Sequence, residues 1–158
     1  ESRRAGVAMG EVDLVAVVRA VQTSVQAAVA ARRIALNVSV PSGVRVQGEK
    51  FLLGQCVGNL VQNAVEFAPP GGTVSVAVHI EGASVIVAVE DTGPGVPDYA
   101  LAKIFDRFYS LPRPDTGRKS SGLGLSIARE VARQHGGEVT LGNRAGGGAR
   151  AVLRMPVG

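Results

Sequence analysis

Residues 73–91 constrain the fold more than any other stretch of the chain. "TVSVAVHI" alternates apolar and polar residues, with Val74, Val76, Val78 and Ile80 on one face. "ASVIVAVED" alternates likewise through Val85, Val87 and Val89. Successive side chains of an extended chain point to opposite faces, so each run reads as a strand with one apolar side. The short link at Glu81-Gly82 predicts an antiparallel hairpin. A sheet with one apolar face has to bury it against another layer.

Helical periodicity elsewhere supplies that layer. "VDLVAVVRAVQTSVQAAVAARR" places Leu14, Val17, Val18, Val21, Val25, Ala28 and Val29 on one stripe, with Asp13 as N-cap. "EKFLLGQCVGNLVQNAVEFAPPGG" predicts a second helix, stopped by Pro69, Pro70 and two glycines. A third runs from Gly122 through Leu125, Ala128, Val131 and Ala132 to "HGG". "IALNVSV", "EVTLGN" and "GARAVLRMPV" add three strands. The predicted class is α+β, a two-layer α/β sandwich. Its mixed sheet of about five strands is covered on one face by three helices.

The chain of 158 residues is long enough for one domain with a core of its own. Aromatics make up only 4%, so that core is built from Val, Leu, Ile and Ala. The single cysteine, Cys56, excludes a disulfide framework and fits a reducing compartment. It lies inside the second helix and is expected in the core. No apolar run approaches the ~20 residues needed to cross a bilayer. The opening "ESRRAGVAMG", residues 1–10, is expected to be a linker from a preceding segment of a longer protein, with the domain over 11–158.

Residues 92–121 break the periodic pattern, apart from a short helix around Tyr99 to Phe105. An irregular stretch of ~30 residues in a compact domain is usually functional or mobile. It also shares in the charge asymmetry. The net charge is +4, and residues 103–133 hold seven basic and three acidic residues, which accounts for all of it. That excess fits an anionic ligand or a solvated basic surface.

Four islands carry candidate chemistry. In "NLVQNA", Asn59 and Asn63 share a helix face, and an amide oxygen there is a hard ligand suited to magnesium. In "DTGPG", Asp91 ends a strand and can accept from an exocyclic amine, while Gly93 and Gly95 let a flat ring approach the backbone. In "FDRFYS", Phe105 and Phe108 are placed to pin the irregular segment to the domain body. In "SSGLGLSIAR", a glycine pair at a helix start exposes N–H groups to an anion, with Arg118 and Lys119 just before it. Taken singly, each island is also what a helix–loop junction, a turn or a plain helix start would show. The P-loop pattern fails because Arg118 stands where its glycine belongs. The G-x-G-x-x-G fingerprint fails at Ile127.

In order and spacing the islands resemble the N, G1, F and G2 boxes of the ATP-binding domain of histidine kinases. The resemblance covers roughly residues 11–157, and "FYSLPRP…GRKSSGLGL" is most similar to CreC-type sensor kinases. The fold it implies is the Bergerat sandwich, shared with heat-shock chaperone, mismatch-repair and gyrase ATPases, with a long ATP lid over about 92–121. The implied cofactors are ATP and Mg2+. Asp91 would meet the adenine amine, and Gly93 and Gly95 would make room for the ring. Asn63 would hold magnesium with Asn59 beside it. Ser121, Gly122, Leu123, Gly124 and Leu125 would lie along the phosphates, with Arg107 and Lys119 as cations of the lid. Phe105 and Phe108 would be its anchors.

The same resemblance separates kinase from ATPase. ATPase relatives and anti-sigma serine kinases carry a glutamate four residues before the magnesium asparagine, where this chain has Asn59. An amide cannot act as base toward water. Phosphoryl transfer to a histidine on a separate helical domain is the expectation, with a Bergerat-type ATPase or regulatory serine kinase as the alternative. Neither His79 nor His135 has the His-acid pattern of a phosphoacceptor, so both are expected to be structural or surface residues. Three family positions depart: Glu66 replaces a common lysine, Ser110 a common arginine and Ser120 a usual glycine. Arg107, Arg113, Arg118 or Lys119 is expected to substitute for the lost cations.

The implied partners are the helical dimerisation and phosphoacceptor domain of the same protein and a downstream response regulator. The whole protein would be a membrane-bound homodimer of the bacterial inner membrane, with this domain in the cytoplasm. A nucleic-acid partner is not expected, because the basic cluster lacks interleaved stacking aromatics.

Overall fold

The computed structural model describes residues 9–114 and 123–157. In chain order its elements are β1 (Gly10–Asp13), α1 (Leu14–Ser24), α2 (Gln26–Ala31), β2 (Ala35–Ser39), β3 (Arg45–Gly48), α3 (Lys50–Phe67), β4 (Thr73–Glu81), β5 (Ser84–Asp91), α4 (Asp98–Leu101), α5 (Gly124–Gln134), β6 (Glu138–Asn143) and β7 (Ala149–Pro156). The main sheet runs β2-β4-β5-β7-β6, with β2 parallel to β4 and every other pair antiparallel. The expected mixed five-stranded sheet under a helical layer is present.

The hairpin forms as its valines dictate. Val76 pairs with Val89 and Val78 with Val87, and all four side chains are buried beneath the helices. The turn is Gly82-Ala83, one residue later than expected, because Glu81 pairs with Ser84. Gly82 takes the positive φ, 59°, that so tight a connection needs. Strict alternation would expose Ile86, yet it is buried. It stands mid-sheet, paired with His79 on one side and Arg154 on the other.

The first helix breaks where the pattern predicts continuity. Asp13 caps α1 as expected, accepting from the Val15 amide at 2.9 Å. Thr23 and Ser24 then turn their hydroxyls onto the carbonyls of Arg19 and Val21, and α2 starts beyond Val25. Hydroxyls that bond nearby backbone compete with the helical ladder. A second, two-stranded sheet pairs β1 with β3. Its four-residue strands are too short for periodicity to show.

α3 buries Leu53, Cys56, Val57, Leu60, Val61, Ala64 and Val65 on one stripe. Arg32 closes its C-terminal end, donating to the carbonyls of Val65, Glu66 and Ala68. α5 lies antiparallel to α3 and is stitched to it at three levels. Asn59 Nδ2 donates to Gly124 O at 3.1 Å, Cys56 Sγ donates to Ala128 O, and His135 Nε2 accepts from Glu49 N at 3.0 Å. His135 is therefore a structural residue, buried with Nδ1 facing Val131 O. His79 is on the surface beside Glu81.

Burial pushes the Cys56 thiol up to about 12. The thiolate is the reactive form, so the native chain should resist alkylation at pH 8 and label rapidly in denaturant. Rapid labelling of folded protein, followed by mass spectrometry, would contradict this burial. Among the described residues no helix is long and apolar enough to cross a membrane.

Candidate nucleotide site

A cavity of about 240 Å³ opens between α3, the end of β5 and the segment leading from α4 toward α5. One face of α3 supplies Asn59, Gln62, Asn63 and Glu66, spaced three or four residues apart as a helix requires. Asp91, Val96, Ile104, Leu141 and Ala149 form an apolar floor around a single carboxylate. Tyr109, Ser110, Leu111 and Arg113 come from the irregular segment, and Gly124 and Leu125 from the start of α5.

Asp91 is held by backbone alone. Its Oδ1 accepts from the Gly93 amide at 2.8 Å and the Ala149 amide at 3.3 Å. Oδ2 takes no hydrogen bond among the described residues, and Asp91, 4% exposed, lines the cavity. One oxygen is fixed and the other is available to a bound donor. Burial raises the Asp91 carboxyl above its ordinary range, against the two amides and Arg144, which lower it. Arg144 donates to Asp91 O at 3.3 Å.

The glycines of "DTGPG" also answer to packing within the chain. A Cβ on Gly93 would lie 2.3 Å from Phe67 O, the last residue of α3, and Gly93 does not line the cavity. A Cβ on Gly95 would lie 2.5 Å from Asn143 Oδ1, and its φ is +82°. At both positions the chain makes a close approach to itself, and Gly95 also lines the cavity. Asn143, the last residue of the strand read from "EVTLGN" and not singled out by any motif, accepts from Val96 N at 2.6 Å and donates to Val96 O at 2.9 Å. It ties the loop after Asp91 to β6.

The four polar residues of α3 divide by partner. Asn59 is spent on Gly124 O, and Gln62 donates to Glu66 Oε2 at 3.2 Å. Glu66 Oε1 accepts from Arg113 Nη2. Asn63 alone of the four makes no side-chain hydrogen bond among the described residues, and it lines the cavity. An unengaged amide oxygen is a suitable hard ligand for a magnesium ion that keeps waters and phosphates in its shell. The donor set fits that ion. It does not fit an all-protein cage, since no group of three or more His, Cys, Asp or Glu occurs among the described residues.

The aromatic anchors are half right. Phe105 packs against the core, with the Arg129 guanidinium 4.9 Å from its ring centroid. Phe108 is a correction: it is 72% exposed, at φ +66°, and joins neither apolar cluster of the described residues. Ile104, next to Phe105, is buried and lines the cavity floor. Arg107 is exposed and does not line the cavity, and Leu123 precedes α5 without lining it. Lys119, Ser121 and Gly122 lie outside the described residues, as do Arg118 and Ser120.

A helix-covered mixed sheet, with one acid at a strand end and an amide-bearing helix beside it, defines an ATP-binding domain of the histidine kinase type. The chain belongs to the family described as histidine kinase-, DNA gyrase B- and HSP90-like ATPases, whose model matches residues 48–158. It is 45% identical over 152 residues to the sensor protein CreC of Escherichia coli (strain K12), covering 96% of this chain and 32% of that protein. The chain thus spans about a third of that relative's length. The catalytic domain of histidine kinase ThkA, nucleotide free, superposes with a TM-score of 0.83 at 27% identity, covering 94% of this chain and 97% of that one. ThkA in complex with the response regulator TrrA gives 0.79 at 26%, covering 95% and 42%. Full-length ShkA in complex with AMPPNP gives 0.79 at 29%, covering 96% and 31%.

Proposed function

We propose that the domain binds Mg-ATP in this cavity and presents the γ-phosphate to a histidine on a helical domain outside these residues. The observation that carries the reading is the division of Asp91: Oδ1 is fixed by two amides while Oδ2 is left for a donor such as the adenine amine. Asn63 would hold the magnesium ion, which supplies charge neutralisation to the phosphates. Asn59 holds α5 against α3 and offers no base, so the domain contributes binding and positioning rather than activation of water. The AMPPNP bound in ShkA supports a nucleotide here, and the ThkA–TrrA complex supports a response regulator downstream. A membrane-anchored homodimer with this domain in the cytoplasm is the corresponding arrangement for the whole protein.

The ATPase alternative needs a free carboxylate beside the γ-phosphate. Glu66 is the acid of α3 that lines the cavity, and both its oxygens are engaged, by Gln62 and Arg113. The test is titration of the purified domain with Mg-ATP, then incubation with labelled ATP. Saturable binding, no label on the domain and negligible hydrolysis are expected; steady turnover lost in Glu66→Gln would establish the alternative instead. Asn63→Ala should weaken Mg-ATP by about 100-fold, at or beyond the roughly 10- to 100-fold typical of losing outer-shell support alone. Its adenosine binding should be unchanged, and an equal loss of both ligands would remove Asn63 from the metal role.

A further inference from the structure

We propose that Arg113 is the phosphate-directed cation of this site and that Glu66 is its positioning residue. The proposal rests on the nucleotide reading of the cavity and goes beyond it. Charge balance comes first. The described residues lining the cavity carry two carboxylates, Asp91 and Glu66, and one cation, Arg113. A polyphosphate brought beside Asn63 comes within one helical turn of Glu66, a like charge. Repulsion there has to be offset by a cation close to both.

Arg113 is held where that offset is needed. Its side chain is only 12% exposed. Nη2 donates to Glu66 Oε1, and the guanidinium lies 5.1 Å from the Phe67 ring centroid. Glu66 is in turn fixed from behind, because Gln62 donates to its other oxygen at 3.2 Å. A planar guanidinium stacked on a ring and tethered to a braced carboxylate loses little further freedom when it meets an anion. Asn63 and Glu66 are three apart on one helix face, so the tether keeps Arg113 alongside the amide that would hold magnesium. Two departures from the family pattern are thereby connected. The acid at 66 does not leave the site without a cation; it holds one delivered from the opposite wall, while Ser110, on that same wall, is neutral.

The sign of one substitution separates this arrangement from a bystander ion pair. Glu66→Gln removes a negative charge from beside the phosphates, so simple Coulomb reasoning makes ATP bind more tightly. If Glu66 positions Arg113, ATP binds more weakly instead. The experiment measures binding of ATP, ADP and adenosine by calorimetry to the wild-type chain, Arg113→Ala, Glu66→Gln and Glu66→Lys/Arg113→Ala, with thermal melts as a check on folding. Arg113→Ala is expected to weaken ATP by about 10- to 100-fold, the range of a charged hydrogen bond. ADP should lose less, and adenosine should be unchanged. Glu66→Gln should weaken ATP by a smaller factor in the same direction, and Glu66→Lys/Arg113→Ala should restore ATP by placing the cation on α3. Equal losses for ATP and adenosine, or tighter ATP binding by Glu66→Gln, overturn the proposal and leave the nucleotide reading intact. A wild-type chain that binds neither ATP nor adenosine overturns both.

Discussion

Asp91→Asn is expected to lose nucleotide binding by about 100-fold or more while melting at the same temperature as the wild type or higher. The two halves have one cause. Asparagine keeps an oxygen in the Oδ1 position, where the Gly93 and Ala149 amides donate, so the loop and strand end stay in place. It puts an NH2 in the Oδ2 position, and a donor then faces the donor that the wild-type carboxylate would accept. Losing a charge-assisted bond and leaving a desolvated donor unpaired together cost about 3 kcal/mol or more. The stability half follows from burial, which raises the Asp91 carboxyl above its ordinary value. A carboxylate with a raised folded pKa is a liability in its ionised form. That cost is fully present above the folded pKa and disappears as pH falls through it toward the unfolded value. Asparagine removes the cost at pH 7, and the advantage should shrink on acidification. Melting curves at pH 7 and pH 4, with ATP calorimetry at pH 7, test both halves. Full nucleotide affinity in the variant, or a melting temperature several degrees lower at pH 7, would falsify the division of labour between the two oxygens. A buried acid kept for binding at some expense of stability is a common arrangement at functional sites.

The sheet and helices were legible because their periods are long. Eight or nine alternating residues specify β4 and β5, and α3 is 18 residues long with a buried stripe from Leu53 to Val65. What was missed is short or local: the four-residue strands β1 and β3, and the hydroxyls of Thr23 and Ser24 that end α1. Within the site, Asn63, Asp91, Gly95, Gly124 and Leu125 were all chosen from the sequence, and all line one cavity. Their order along the chain carried that information, since no single island did. Pairings across the fold stayed hidden. The exchange of charge at Glu66 was visible, but its partner Arg113 lies 47 residues away in a stretch without periodicity. The same holds for "NRAGGGA". It reads as a generic glycine turn, and only the pairing of Glu90 with Arg150 sets Ala149 beside Asp91. Phe108 failed for the opposite reason: spacing alone made it an anchor, and backbone at φ +66° turns it outward.

That glycine turn carries the other large effect. Gly148→Ala is expected to destabilise the domain by about 3 kcal/mol or more, and Gly147→Ala by only about 1–2 kcal/mol. Both glycines have left-handed φ, +93° and +111°, so both substitutions bear backbone strain. The difference is what a Cβ meets. At Gly147 nothing lies within 4 Å, whereas at Gly148 the new atom would sit 1.9 Å from Asp91 O, 2.9 Å from Asp91 C and 3.2 Å from Thr92 Cα. All three are backbone atoms, so no rotamer change relieves the overlap, and one of the two chain segments has to move. Moving either one separates the Ala149 amide from Asp91 Oδ1 and releases the carboxylate that the site depends on. For a domain of this length each kcal/mol is worth roughly 2–4 °C. Gly147→Ala should therefore melt a few degrees low with ATP binding retained. Gly148→Ala should melt about 10 °C low or fail to accumulate, and whatever fraction folds should bind ATP weakly. Equal melting temperatures for the two variants would mean that Gly148 and Asp91 are not packed backbone to backbone. The fixed oxygen of Asp91 would then need another source of its rigidity.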